Sequence, residues 1–276
     1  MKTNKLLIGG LALSFLFAGC KKDSSSSIVA NAPVSTQDIA SSVSSALATN
    51  GYGTISQLQD AASLTTSGIN AGGSLQVSAS GNSSLGTNGL MSAVSSAPAK
   101  DTLPCGFTKK INFAVSDSSQ VFAFSHSVKY FFMVDCTNGV RTGLTFQDSS
   151  TGHFNGPRMI SNMVSDGNLT ISGIQKADTI LTYNGSITHK GSYQSKINDS
   201  VSFSSTVVMN LQNALVSKKS HDVIGGTSSL TISGVNKKKV PFSYTGTIEF
   251  IAGRKAKIKI NNDTYVFNLV SGDLDK

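Results

Sequence analysis

LTISGIQKADTILTYNGSI, residues 169–187, returns as LTISGVNKKKVPFSYTGTI at residues 230–248, aligned without a gap at an offset of 61. Leu169 to Gly173 repeat unchanged as Leu230 to Gly234, and Tyr183, Gly185 and Ile187 recur as Tyr244, Gly246 and Ile248. A match of this kind within one chain marks two copies of one supersecondary unit. Leu169, Ile171 and Gly173 alternate with Thr170 and Ser172. Leu181, Tyr183, Gly185 and Ile187 alternate with Thr182, Asn184 and Ser186, and Phe242, Tyr244, Gly246, Ile248 and Phe250 keep the same phase in the second copy. A period of two with one apolar and one wet face is that of the arms of a β-hairpin. Glycine at the centre of each second arm predicts a bulge, a bend or a close neighbour there.

Working outward, the same texture fills residues 105–271. Phe107, Ile111, Phe113 and Val115 alternate with polar residues, and Asp117-Ser118-Ser119 reads as the turn that follows. Phe122, Phe124, His126, Val128, Tyr130, Phe132 and Val134 then share one face in a run long enough to predict a bend. After the turn at Thr137-Asn138-Gly139 the pattern predicts strands around 140–147 and 151–165, the second interrupted by Gly156-Pro157 as at an edge or bulge. Val201, Phe203, Val207, Met209 and Leu211 form another strand between the copies. A closing hairpin runs from Ala256, Ile258 and Ile260 through Asn261-Asn262-Asp263 into Tyr265, Phe267 and Leu269. About ten to twelve antiparallel strands result. The fold class is all-β: an antiparallel meander forming a curved sheet or a partly closed barrel, with a short, partly helical or disordered N-terminal stalk.

The stalk is assigned to residues 34–104. Ile39, Val43 and Leu47 fall at helical spacing, and Ser35 with Asp38 fits a capping box. This predicts a short helix closing near Asn50-Gly51 and a second around Ser56 to Leu64, both needing something to pack on because serine is a poor helix former. Residues 65–100 are rich in Gly, Ser, Asn and Thr without a period, which predicts disorder. Residues 272–276 read as a tail.

The N-terminus has the three parts of an export signal, residues 1–19: Lys2 and Lys5, an apolar run from Leu6 to Phe17, and small Ala18 and Gly19 before Cys20. Leu16-Phe17-Ala18-Gly19-Cys20 resembles the bacterial lipoprotein processing box, which implies acylation of Cys20 and attachment without a spanning helix. The alternative is a secreted protein with a chance cysteine at the cleavage point. Residues 20–33 read as a flexible lipidated tether. Lys21-Lys22-Asp23 resembles the short signals that carry Bacteroidota lipoproteins to the cell surface, which favours that location over a periplasmic-facing one. With 23 basic and 15 acidic residues the chain carries +8, or +6 once Lys2 and Lys5 leave with the signal. Export disfavours a nucleic-acid partner, and the basic balance permits anionic lipid or glycan.

With Cys20 given to lipid, Cys105 and Cys136 remain as an even pair in an oxidising compartment, which predicts a disulfide. A turn near Asp117 to Gln120 would set Cys105 opposite residue 131, so the pairing also requires a curled segment at Pro104 or a bulge.

No residue set in the sequence predicts catalysis, a metal or a cofactor. Histidines 126, 153, 189 and 221 lack metal-ligand spacing. His126 falls on an apolar strand face and His189 aligns with Phe250 of the repeat, so both read as core. No nucleophile elbow or Ser-x-x-Lys sits in a catalytic context. Lys237, Lys238, Lys239, Lys255, Lys257 and Lys259 form a candidate patch for anionic ligands, set against the plainer reading of lysines that guard sheet edges. The 14 Phe and 6 Tyr without Trp read as core rather than as sugar platforms.

Cys105-Gly106, Cys136 after an aromatic strand, Gly156-Pro157-Arg158, the two LTISG stretches, the Tyr-x-Gly-[Ser/Thr]-Ile arms and the Ile260 to Tyr265 hairpin together resemble a family of lipid-anchored, β-rich Bacteroidota proteins of unknown function. The resemblance implies a scaffold and transfers no catalytic residue. The expectation is an outer-membrane lipoprotein, not an enzyme, that binds a ligand or another envelope protein. The second class is a carrier of lipid or another apolar molecule in the concavity of the sheet. The two differ in that a carrier needs an open apolar cleft where the first has a filled interior. A hydrolase, third, requires His126, His153 or His189 to meet an acid and a nucleophile in one pocket.

Overall fold

Strands follow one another across a single sheet in the order in which the chain makes them. The computed structural model describes residues 34–67, 75–80, 104–118, 123–198 and 201–275. The signal peptide, Cys20, the tether, and residues 68–74 and 81–103 of the expected stalk lie outside the described residues. The strands are β1 (Leu75–Ser80), β2 (Thr108–Ser118), β3 (Ala123–Thr137), β4 (Val140–Asn155), β5 (Met159–Ser172), β6 (Ile180–Ser195), β7 (Ser202–Ser217), β8 (Val223–Asn236), β9 (Pro241–Ile251), β10 (Lys255–Ile260) and β11 (Asp263–Asn268). From β2 to β11 every neighbour is antiparallel, and the sheet is open, with β1 and β11 at its edges. The edge strand β1 runs parallel to β2, within a region whose composition predicts no strand.

The duplicated stretch is a hairpin twice, in one register. Ile171 pairs with Tyr183 and Leu169 with Gly185 between β5 and β6; Ile232 pairs with Tyr244 and Leu230 with Gly246 between β8 and β9. Both central glycines admit a neighbouring backbone: a Cβ would stand 2.2 Å from the Asn168 carbonyl oxygen at Gly185 and 2.2 Å from that of Lys259 at Gly246. Gly185 alone adds φ 136° at a register shift against β7, a bulge that an L side chain resists.

Two turns fall elsewhere than the pattern predicts. Asp117 and Ser118 belong to β2 and pair with Phe124 and Ala123, so the hairpin turns later than expected. The ladder, in which Thr108 meets Met133, brings the chain ahead of β2 alongside the end of β3, and there it curls as expected: the Phe107 N–H donates to the Pro104 carbonyl, and Gly106, at φ 71°, donates to that of Val134. The disulfide joins Cys105 to Cys136 across 5.7 Å between Cα atoms. β4 is one strand through Asn155, and Gly156-Pro157 is its closing turn rather than an interruption. Pro157 therefore removes no ladder hydrogen bond.

The larger correction concerns the stalk. Its helices, α1 (Thr36–Leu47) and α2 (Thr54–Ser67), lie against the inward face of the sheet, joined through a single 3-10 turn at Thr49–Gly51. Every residue from Gly53 to Leu64 is buried. Ser35 caps α1 by accepting from the Asp38 N–H. Hydroxyl groups on the sheet reach the helical segment at both copies of the repeat: Tyr183 donates to the Leu58 carbonyl at 3.1 Å and Tyr244 to the Val34 carbonyl. Ile39, Leu47, Ile55, Leu58 and Leu64 thereby join Tyr130, Phe132, Phe146 and Tyr183 in one core. Weak helix formers need tertiary packing, and the concave sheet supplies it. No helix among the described residues is long and apolar enough to cross a membrane.

Candidate functional site

The period of two sends alternate residues of β3 to β6 inward, and near the middle of the sheet those residues are polar. Val128, Ser150, Ser165, His189 and Val207 pair strand to strand in one row, and Tyr130, Asp148, Gly167 and Ile187 in the next. The polar side of α2 faces this band. Tyr52 and Tyr130 both donate to Oδ2 of Asp60, the latter at 2.9 Å. Thr54 Oγ1 lies 2.7 Å from His189 Nε2, and Gln57 Nε2 donates to Ser150 Oγ at 3.3 Å.

Burial governs the charge states. Desolvation raises the Asp60 carboxyl to about 7, against the opposing effect of its two tyrosine hydrogen bonds. Asp148 is also raised to about 7, first by burial and then by the charge of Asp166. Its two oxygens find no hydrogen-bond partner, and the carboxyl lies over Gly167, where a Cβ would stand 1.9 Å from Oδ1. His126 and His189 are lowered to about 4, chiefly by desolvation, so both imidazoles are neutral at pH 7.

His189 meets the Thr54 hydroxyl, but its Nδ1 has no partner to orient the ring, and Thr54 is fully buried. His153 is hydrogen-bonded to Asn162 at an exposed position, and His221 to Thr66. Among the described residues no three His, Cys, Asp or Glu side chains gather as for a metal.

An open cleft of about 580 Å³ lies at one end of the sheet, between α1, the β4–β5 and β6–β7 turns and the C-terminal segment. Phe154, Met159, Tyr193 and Leu274 give it an apolar floor, while Asp38 and Arg158 bring opposite charges to its wall.

The lysines are not gathered in one place. Lys237, Lys238 and Lys239 occupy the β8–β9 turn next to Pro241, whereas Lys259 pairs with Thr247, six residues along β9 and so about 20 Å away. Lys255 lies opposite Ile251 at the far end and bonds Asp275 at 2.8 Å; Lys257 bonds Glu249 at 3.1 Å. These exposed pairs contribute little to stability. Cys105 and Cys136 are brought together, as above, and Cys20 lies outside the described residues.

Sequence patterns missed Thr54, Gln57 and Asp60, because a helix without a clean apolar stripe reads as wet. The cleft residues Phe154 and Tyr193 sit on the inward phase, which marks them as core and not as lining. Comparison with protein-family models, curated proteins and solved structures finds no match for this chain.

Proposed function

We propose that this chain is an exported outer-membrane lipoprotein, anchored through Cys20 and displayed at the cell surface, that binds a ligand or a partner protein without transforming it. The observation that carries the binding reading is the end cleft. Its volume of about 580 Å³ falls within the range of small-molecule sites, and its mixture of an apolar floor with a few charged and amide groups suits a small amphiphile. The carrier reading, with cargo in the concavity, needs the space that α1 and α2 fill; the cleft is where an apolar group meets open solvent. Support for the anchor is the Leu16 to Cys20 run behind an apolar stretch.

The test is mass spectrometry of small molecules retained by the full chain purified from its own envelope, alongside a Ser41→Trp variant whose indole fills the cleft. A species present on the unaltered chain and missing from the variant is expected; a chain that emerges empty, or a species held equally by both, overturns the reading. Acyl labelling that disappears with Cys20→Ala tests the anchor separately.

A further inference from the structure

We propose that His126, His189 and Met163 form an inward-facing site for one soft transition-metal ion, with copper(I) as the ion their chemistry fits. Across the inward face, His126, Gly152, Met163, Gly191 and Ser205 pair in one row from β3 to β7. Met163 thus has a glycine on each side, and the floor of the sheet is bare around it. The His126 ring leans into that gap, since a Cβ on Gly152 would stand 2.1 Å from its Nδ1. His189 is two residues before Gly191 on the same face of β6. These side chains line a cavity of about 40 Å³ roofed by the Gly51 backbone and by Ser42 and Ser45 of α1. That volume exceeds the roughly 10–15 Å³ a single water needs.

Two observations point to a ligand in this space. His126 and His189 are 4% and 3% exposed, yet Nδ1 of His189 has no hydrogen-bond partner and the His126 ring has only a loose one, to the Gly51 backbone. A buried polar atom without a partner is costly, and under-satisfied nitrogens on two rings around one small cavity share a single remedy. Further, Thr54 holds His189 by Nε2, which leaves the Nδ1 lone pair for the cavity, as outer partners fix the rings of metal-bound histidines. The donor set then selects the ion. Uncharged imidazoles and a thioether suit a soft metal, and no carboxylate lines the cavity to offset a second positive charge or to hold a hard cation. A monovalent ion loses least on entering such a site.

The experiment uses the full chain carrying Cys20→Ala, which leaves no free thiol, prepared metal-free and without a histidine tag, and titrated anaerobically with copper(I) against bicinchoninate. One ion per chain taken from the chelator is expected, with nitrogen and sulfur neighbours in X-ray absorption. His126→Gln and His189→Gln should abolish uptake, and the volume-conserving Met163→Leu should weaken it tenfold or more with an unchanged circular dichroism spectrum. His153→Gln, at the exposed histidine, should change nothing. No uptake by the unaltered chain overturns the proposal, as does uptake that survives His126→Gln or is indifferent to Met163→Leu; the cavity then holds water only.

Discussion

Tyr183 and Tyr244 hold equivalent places in the two hairpins, and each ends on a backbone carbonyl of the helical segment. Their surroundings differ: Tyr183 is wholly buried, while Tyr244 is only partly so. Removing the hydroxyl of Tyr183 leaves the Leu58 carbonyl without that donor where water has no access. Tyr183→Phe should therefore cost about 1–3 kcal/mol in denaturant unfolding, and Tyr244→Phe less. Asp148 permits a test of sign. Its carboxyl is held near 7 in the folded protein against an ordinary 3.8, so between about pH 4 and 7 the unfolded chain releases a proton that the folded one keeps. The stability this group contributes is complete below pH 4 and is lost as pH rises through 7. Asp148→Asn, which stays neutral, should gain on the unaltered protein by about 1.4 kcal/mol per pH unit across that window and level off above it, as read from paired urea melts. A difference that is flat with pH, or that shrinks, refutes the assignment of burial as the cause.

At the scale of elements, the two helices decide what the N-terminal third is. As an external stalk their loss would be neutral; as the filling of the sheet it exposes Tyr130, Phe132 and Phe146 together. Deleting residues 34–67 should abolish cooperative unfolding and bring dye binding to exposed apolar surface, while Ser35→Ala, which removes only the cap, should cost about 1 kcal/mol. Replacing Cys105 and Cys136 together by Ser should cost about 3–4 kcal/mol for a loop of 31 residues in the chain-entropy account. Much of the sheet was legible because strand alternation is local: the repeat, the closing hairpin and the inward phase of β3 follow from neighbours two residues apart. What was not legible depends on distant partners. Asp60 and Gln57 look like solvent-facing residues until Tyr130 and Ser150 arrive from β3 and β4, and β1 finds an edge that its own composition does not announce. The cleft was hidden for the same reason, since four separated segments meet to make it.

For the whole molecule, the strands lie in chain order, while the helical segment that precedes them reaches across to the far end of the chain. The segment linking α1 to α2 is tied to the last residues of the protein: the Thr49 and Asn50 N–H groups donate to the carbonyls of Leu269 and Val270, and the Ser44 hydroxyl donates to that of Gly272. Contacts across more than 200 positions close only after long loops have been drawn in, which slows folding. A polypeptide emerging N-terminus first consequently has no interior to settle into until its final turn is free. Such a thread stays pliant until the residues around 270 have joined it, and acquires its shape in one late step.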